Sequence, residues 1–150
     1  MPSALFDHYL MADHRACDHL LGSLRRHAVG KDWPAAQAAF ASLQHDVLAH
    51  FAAEEEVMFP AFEAASGMSC GPTAVMRMEH AEARELLDDL AAATQVQDTD
   101  GVRGHAEALL ILLQQHNMKE ENILYPAAIS AAGPTAAELT AQIVLRREAK

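Results

Sequence analysis

Two segments of the chain pair a histidine with a carboxylate in the same way. His50-Phe51-Ala52-Ala53-Glu54-Glu55-Glu56-Val57-Met58-Phe59-Pro60 and His116-Asn117-Met118-Lys119-Glu120-Glu121-Asn122-Ile123-Leu124-Tyr125-Pro126 share a histidine, two glutamates starting four residues on, and an aromatic-proline ending. Two more histidines match each other. His14 and His80 each follow an acid, Asp13 and Glu79, and each precede a Leu-Leu pair, Leu20-Leu21 and Leu86-Leu87. One offset of 66 residues relates His14 to His80, His50 to His116, Glu54 to Glu120 and Pro60 to Pro126. The chain is therefore a repeat in register.

On an α-helix, residues i and i+4 differ by about 40° of rotation and about 6 Å of rise. His50 with Glu54, and His116 with Glu120, thus each present an imidazole and a carboxylate on successive turns. His14 and His80 add one imidazole each. Neutral imidazoles suit iron, zinc or copper, and carboxylates can bridge two cations. Such a set makes a dinuclear site with positions left for a small ligand. Buried without metal, these groups would need hydrogen-bonding partners or shifted pKa values. Solvated helix faces would explain one His/Glu pair, but not two matched pairs and two matched histidines.

Other residues near these positions are weaker candidates. Asp18 lies four residues after His14 and is an extra ligand, a second-layer partner or a solvated acid. Glu121 lies five after His116 and is the alternative to Glu120, while Glu55 follows Glu54 by one residue, about 100° around the helix. Cys17, Tyr9 and Tyr125 read first as packing residues; the alternatives are a thiol facing the site for Cys17 and hydrogen bonds near the cavity for the two tyrosines. His8, His19, His27, His45 and His105 read as surface or core histidines, and Met58, Met76, Met78 and Met118 as bundle packing. Glu-x-x-His, the ferritin-type spacing, is absent, as are His-Glu-x-x-His, a phosphate-binding glycine loop and a serine nucleophile elbow.

Apolar periodicity places these residues on helices. A first helix spans about 4–28, with Ser3 as N-cap and Gly30 ending it. The second runs from about Pro34, capped by Asp32, towards Ala65, kinked by Pro60. The third covers about 73–94, after a loop with Gly67, Gly71 and Pro72; Val75, Met76, Leu86, Leu87 and Leu90 mark its buried side. A connection over 95–104 leads to a fourth, from about Val102 past Glu120. Thr135-Ala136-Ala137-Glu138 reads as a capping box opening a short fifth helix with Leu139, Ile143 and Leu145. The expected fold is all-α: an antiparallel up-down four-helix bundle in one domain, with a core of about 4–130 and a C-terminal helix of about 135–149.

Composition narrows the function. With 11 Lys+Arg against 21 Asp+Glu, the net charge is −10, which argues against a basic nucleic-acid face. There is no apolar run of membrane-spanning length. The first eleven residues lack a basic stretch before an apolar one, so no secretory signal is expected. Two cysteines in no disulfide pattern suit a reducing cytoplasm.

His14, His50 with Glu54, His80, and His116 with Glu120 resemble the ligand pattern of the hemerythrin-like family, the HHE cation-binding domains. The resemblance covers about residues 4–130. It implies an oxo- or hydroxo-bridged pair of iron ions in a four-helix bundle. On that pattern His14 and His50 hold one iron, His80 and His116 the other, and Glu54 and Glu120 bridge them. It further implies a small ligand such as dioxygen, peroxide or nitric oxide, in redox chemistry, sensing or iron handling. One position departs from the oxygen carriers of the family: Arg84 stands where they have a fifth histidine. That departure counts against reversible oxygen carriage.

Overall fold

The computed structural model describes residues 4–149. Helix α1 spans Phe6–Val29 and α2 Trp33–Ala53; α2 continues through a π-helical turn, Glu54–Met58, into α3, Phe59–Ser66. The second half repeats this: α4 is Pro72–Gln95, α5 is Thr99–Lys119, a π-helical turn covers Glu120–Leu124, and α6 is Tyr125–Ala132. A 3₁₀ turn, Gly133–Thr135, leads to α7, Ala136–Arg147. There is no strand among the described residues.

The four long helices form a closed ring in which α1 packs on α2 and α5, and α4 packs on α2 and α5. Neighbours run in opposite directions. His14, early in α1, meets His50, late in α2, and His80, early in α4, meets His116, late in α5.

The 66-residue repeat extends to backbone detail. Asp32 accepts a hydrogen bond from the Ala35 N–H at the start of α2, and Asp98 accepts one from the Gly101 N–H at the start of α5. The residues before them, Lys31 and Gln97, both have φ 58°. This is the left-handed conformation that closes a helix by a six-to-one bond, here Asp32 N–H to His27 O and Asp98 N–H to Ala93 O. The short stop at Gln97 is why α5 begins at Thr99 and not near Val102, as the sequence suggested.

Each π turn opens on a glutamate of the repeated motif and ends just before an aromatic-proline pair. Phe59 N–H bonds Glu54 O, and Tyr125 N–H bonds Glu120 O, five residues back. An α-helical proline would clash with the carbonyl four residues earlier. The chain instead takes one wide turn, and Pro60 and Pro126 sit in the first turn of a new α-helical segment. The expected kink is therefore a π turn.

Other local expectations are corrected. Thr135 does not cap α7: its hydroxyl donates to Ala132 O, after Gly133 at φ 55°. Val75, Met78, Met118 and Leu145 are exposed, not packed. Ser3 lies outside the described residues, and Leu5 at the start of α1 makes no side-chain cap. The Phe6 N–H donates instead to the Thr140 hydroxyl of α7, 3.0 Å away. Helix α7 also packs on α1, α2 and the first π turn, and less on α6, so the fifth helix straps mainly the first half of the repeat.

The core is split. One apolar cluster, with Leu21, Leu24, Leu43, Leu87, Leu90 and Leu109, fills the end of the bundle near the α1–α2 and α4–α5 turns. The other, with Phe6, Leu10, Met58, Phe59, Tyr125 and Ile143, fills the end closed by α3, α6 and α7. Between them lies a polar layer.

Candidate metal centre

That layer holds His14, His50, Glu54, His80, His116 and Glu120, all buried, with Glu54, Glu120 and His80 at 0% exposure. Their donor atoms fall into two overlapping groups: His14, His50, Glu54 and Glu120, and His80, His116, Glu54 and Glu120. The two glutamates belong to both. Glu54 Oε1 is 3.4 Å from His50 Nε2 and 3.2 Å from His80 Nε2. Glu120 Oε1 is 3.3 Å from His116 Nε2 and 3.2 Å from His14 Nε2. Each carboxylate therefore reaches across the two-fold relation between the halves.

The imidazoles are aimed from behind. His14 Nδ1 is 2.7 Å from Glu121 Oε2, and its repeat mate His80 Nδ1 is 2.6 Å from Glu55 Oε2. His50 Nδ1 is 2.8 Å from Asp13 Oδ2, and its mate His116 Nδ1 is 2.9 Å from Glu79 Oε1. A carboxylate accepts only, so each Nδ1 carries a proton, and in the neutral ring, the form that binds a metal, each Nε2 turns a lone pair inward. Three of these carboxylates are themselves gripped. Arg147 of α7 makes two bonds to Asp13, Arg84 makes two to Glu55, and Lys119 makes one to Glu79. Arg84 thus anchors Glu55, which orients His80.

The fit to metal rests on what this arrangement lacks. His14 and His50 face each other through Nε2 atoms 3.1 Å apart, and His80 and His116 do so at 3.2 Å. With both rings neutral and their protons on Nδ1, each pair would present two lone pairs to one point. Glu54 Oε1 and Glu120 Oε2 are buried with no hydrogen-bond partner. Two facing nitrogen pairs closed by two unpartnered carboxylate oxygens form two overlapping groups that could hold a metal ion.

Metal-free, the cluster balances its charge with protons. Burial works against a charged His50, but Glu54 and Asp13 outweigh it and raise its pKa to about 10. Burial likewise opposes charge on His116, yet Glu120 and Glu54 raise it to about 9. Glu54 is held well below its ordinary value: burial opposes this, and His50 outweighs it. Asp13 and Glu55 are also held down to about 2, against burial, the first by His50 and Arg147, the second by His80 and Arg84.

The remaining candidates are now placed. Glu121 and Glu55 support histidines through Nδ1, and Asp18 is not in either donor group. Cys17 is buried in the first apolar cluster, its thiol pushed up to about 12 by burial. Tyr9 bonds Glu148, away from the layer. Tyr125 does not merely pack: its hydroxyl lies within the layer, 2.7 Å from Glu54 Oε2. Asp13 and Glu79 were recognised only as markers of the repeat. Their position just before His14 and His80 was the available signal of a supporting role.

The two sides of the layer differ. Phe51 stacks on His80 with ring centres 3.8 Å apart, and Arg84 lies over Phe51. Their repeat mates are Asn117 and Asp18, and these line a surface cleft of about 560 Å³ that His14 and Glu121 also border. The layer is sealed at His80 and approached at His14.

An all-α bundle with two overlapping buried histidine-carboxylate groups defines a cation-binding helical protein. A family model for the hemerythrin HHE cation binding domain matches residues 5–128, and the chain belongs to that family. It is similar to the iron-sulfur cluster repair protein YtfE of Edwardsiella ictaluri (strain 93-146), 31% identical over 97 residues, covering 59% of this chain and 44% of that one. It is also similar to the protein of that name from Enterobacter sp. (strain 638), 30% identical over 121 residues, covering 71% of this chain and 53% of that one. The chain spans about half the length of these curated relatives. No solved structure matches it. Among the described residues, no helix is long and apolar enough to cross a membrane.

Proposed function

We propose that the protein is a cytoplasmic di-iron protein, a single hemerythrin-like domain, that binds or reduces a small oxidant such as dioxygen, peroxide or nitric oxide. His14 and His50 would hold one iron and His80 and His116 the other, with Glu54 and Glu120 available to both. The observation that carries this reading is the pair of facing Nε2 couples, each imidazole fixed through Nδ1 by its own carboxylate. Such outer carboxylates fix the tautomer and raise the basicity of a ligating histidine.

Iron held there would supply redox chemistry towards a small oxidant. The chain's own residues hold and shield it. Phe51 and Phe59 stack against His80 and keep water from that side. On the other side, Asn117 and Asp18 leave the cleft beside His14 as the approach. The names of the two relatives favour a place in repair of iron-sulfur clusters.

Iron analysis of protein from iron-replete cells tests the reading: the expected value is about two iron ions per chain. No iron, and none taken up on anaerobic reconstitution, would sink it. A second reading, metal binding, sensing or storage without turnover, is favoured by the near-complete burial of the donor set. Peroxide consumption by iron-loaded protein, lost in His116→Ala, decides for the first; loaded protein that neither binds nor consumes peroxide, dioxygen or nitric oxide decides for the second.

A further inference from the structure

The repeat sets Tyr125 opposite Phe59. Both follow a π turn, both are fully buried, and both rings stack on a histidine of the layer. Phe59 lies 5.5 Å from the His80 ring at 26°, and Tyr125 lies 5.9 Å from the His14 ring at 21°. The rings occupy equivalent places, so the halves differ there by one hydroxyl.

That hydroxyl has more neighbours than a packing role requires. A buried phenol needs one partner. Tyr125 Oη has Glu54 Oε2 at 2.7 Å, Glu120 Oε1 at 3.1 Å and His14 Nε2 at 3.2 Å. It has one proton to give, and His14 Nε2, with its Nδ1 proton on Glu121, has none to return. The last two distances match those among the other donors: His14 Nε2 stands 3.1 Å from His50 Nε2 and 3.2 Å from Glu120 Oε1. Donor atoms bonded at about 2.0–2.2 Å to one cation stand about 3 Å apart when adjacent around it. Oη is thus spaced from His14 and Glu120 as those ligands are from each other.

We propose that Tyr125 Oη is a fifth protein donor to the metal shared by His14 and His50, so that the two metal positions are chemically unequal. The inference rests on the metal-binding reading above. On binding, the phenol O–H bond is exchanged for an O–metal bond, the proton passes to water, and no electron moves. At the His80/His116 position the equivalent ring is Phe59, which carries no hydroxyl.

The test uses the full chain, loaded with iron(II) and oxidised in air. Iron per chain is measured together with the visible spectrum and resonance Raman scattering. A phenolate bound to iron(III) gives a visible charge-transfer band with enhanced tyrosinate ring modes, and ring-deuterated tyrosine shifts those modes. The expected result is a band in the wild type and in Tyr9→Phe, the other tyrosine, and its loss in Tyr125→Phe with iron retained. Phe59→Tyr should strengthen it. Wild-type protein with its iron in place but without the isotope-sensitive modes, or Tyr125→Phe protein that keeps the band, overturns the inference and leaves the metal-binding reading standing. Protein that takes up no iron overturns both.

Discussion

Arg147, near the end of the chain, grips Asp13 with two bonds: Nε to Oδ2 at 2.7 Å and Nη2 to Oδ1 at 2.8 Å. Asp13 in turn accepts the His50 Nδ1 proton at 2.8 Å. A helix outside the repeat thereby reaches the donor layer through one carboxylate. The matching position in the second half uses Lys119 on Glu79.

This difference predicts unequal mutations. Arg147 and Asp13 are 13% and 11% exposed, whereas Lys119 is 43% exposed. Arg147→Ala should cost about 2 kcal/mol of stability, as for a buried charged hydrogen bond. Lys119→Ala should cost less than about 1 kcal/mol. Urea denaturation of the metal-free variants checks both, and equal losses would contradict the ranking.

Glu54→Ala and Glu120→Ala should each abolish stable iron binding, because each removes an oxygen shared by both donor groups. Glu55→Ala removes the bond behind His80 and both bonds from Arg84 but no proposed ligand, and should weaken iron binding by about 10–100-fold. Iron stoichiometry and competition with a chelator separate these effects. Full occupancy in Glu54→Ala would show the bridging assignment to be wrong.

The pH dependence of metal-free stability has two limbs. His50 is raised from 6.5 to about 10 in the folded state, and His116 from 6.5 to about 9. Their contribution is complete below about 6.5 and lost as pH rises through 9 and then 10. Asp13 is lowered from 3.8 to about 2, so its contribution is complete above 3.8 and lost as pH falls through 2. Denaturation midpoints measured across this range should decline at both ends. Iron uptake near pH 7 should also release protons, read with an indicator dye.

Leu24 and Leu90 are repeat mates, both at 0% exposure in the cluster away from the metal layer. Either change to Ala should cost about 2–5 kcal/mol. Iron per folded chain should stay unchanged. A variant folded at the assay temperature but short of iron would mean that the two ends of the core are coupled.

The six proposed ligands were legible because a repeat multiplies weak signals. His50/Glu54 alone would pass for a solvated face; the matched positions at 116, 120, 14 and 80 do not. The π turns were not legible, since they use residue types common in α-helices, and only Pro60 and Pro126 hinted at a disturbance. For that reason packing is the first reading of Tyr125, and its hydrogen bond at the site the second. At 3.6 residues per turn Tyr125 falls about 140° from Glu120, on another face. The wide turn returns residues five apart to one face, and the Tyr125 hydroxyl comes within 3.1 Å of Glu120 Oε1. Thr135 had the capping-box spacing, but the left-handed Gly133 set the chain into a 3₁₀ turn first. Met78 and Met118 show that a flexible apolar side chain carries little information about which way it faces.

The sharing of Glu54 and Glu120 makes each metal position a joint possession of the two hairpins. The hairpin from Phe6 to Ser66 supplies two imidazoles to one position and only a carboxylate to the other, and the hairpin from Pro72 to Ala132 does the converse. Neither owns a complete donor set. The loop over 67–71 is a covalent tether, and bound ions would be a second fastening across the same seam. Loss of metal would then loosen the joint between the halves before it unwound either one.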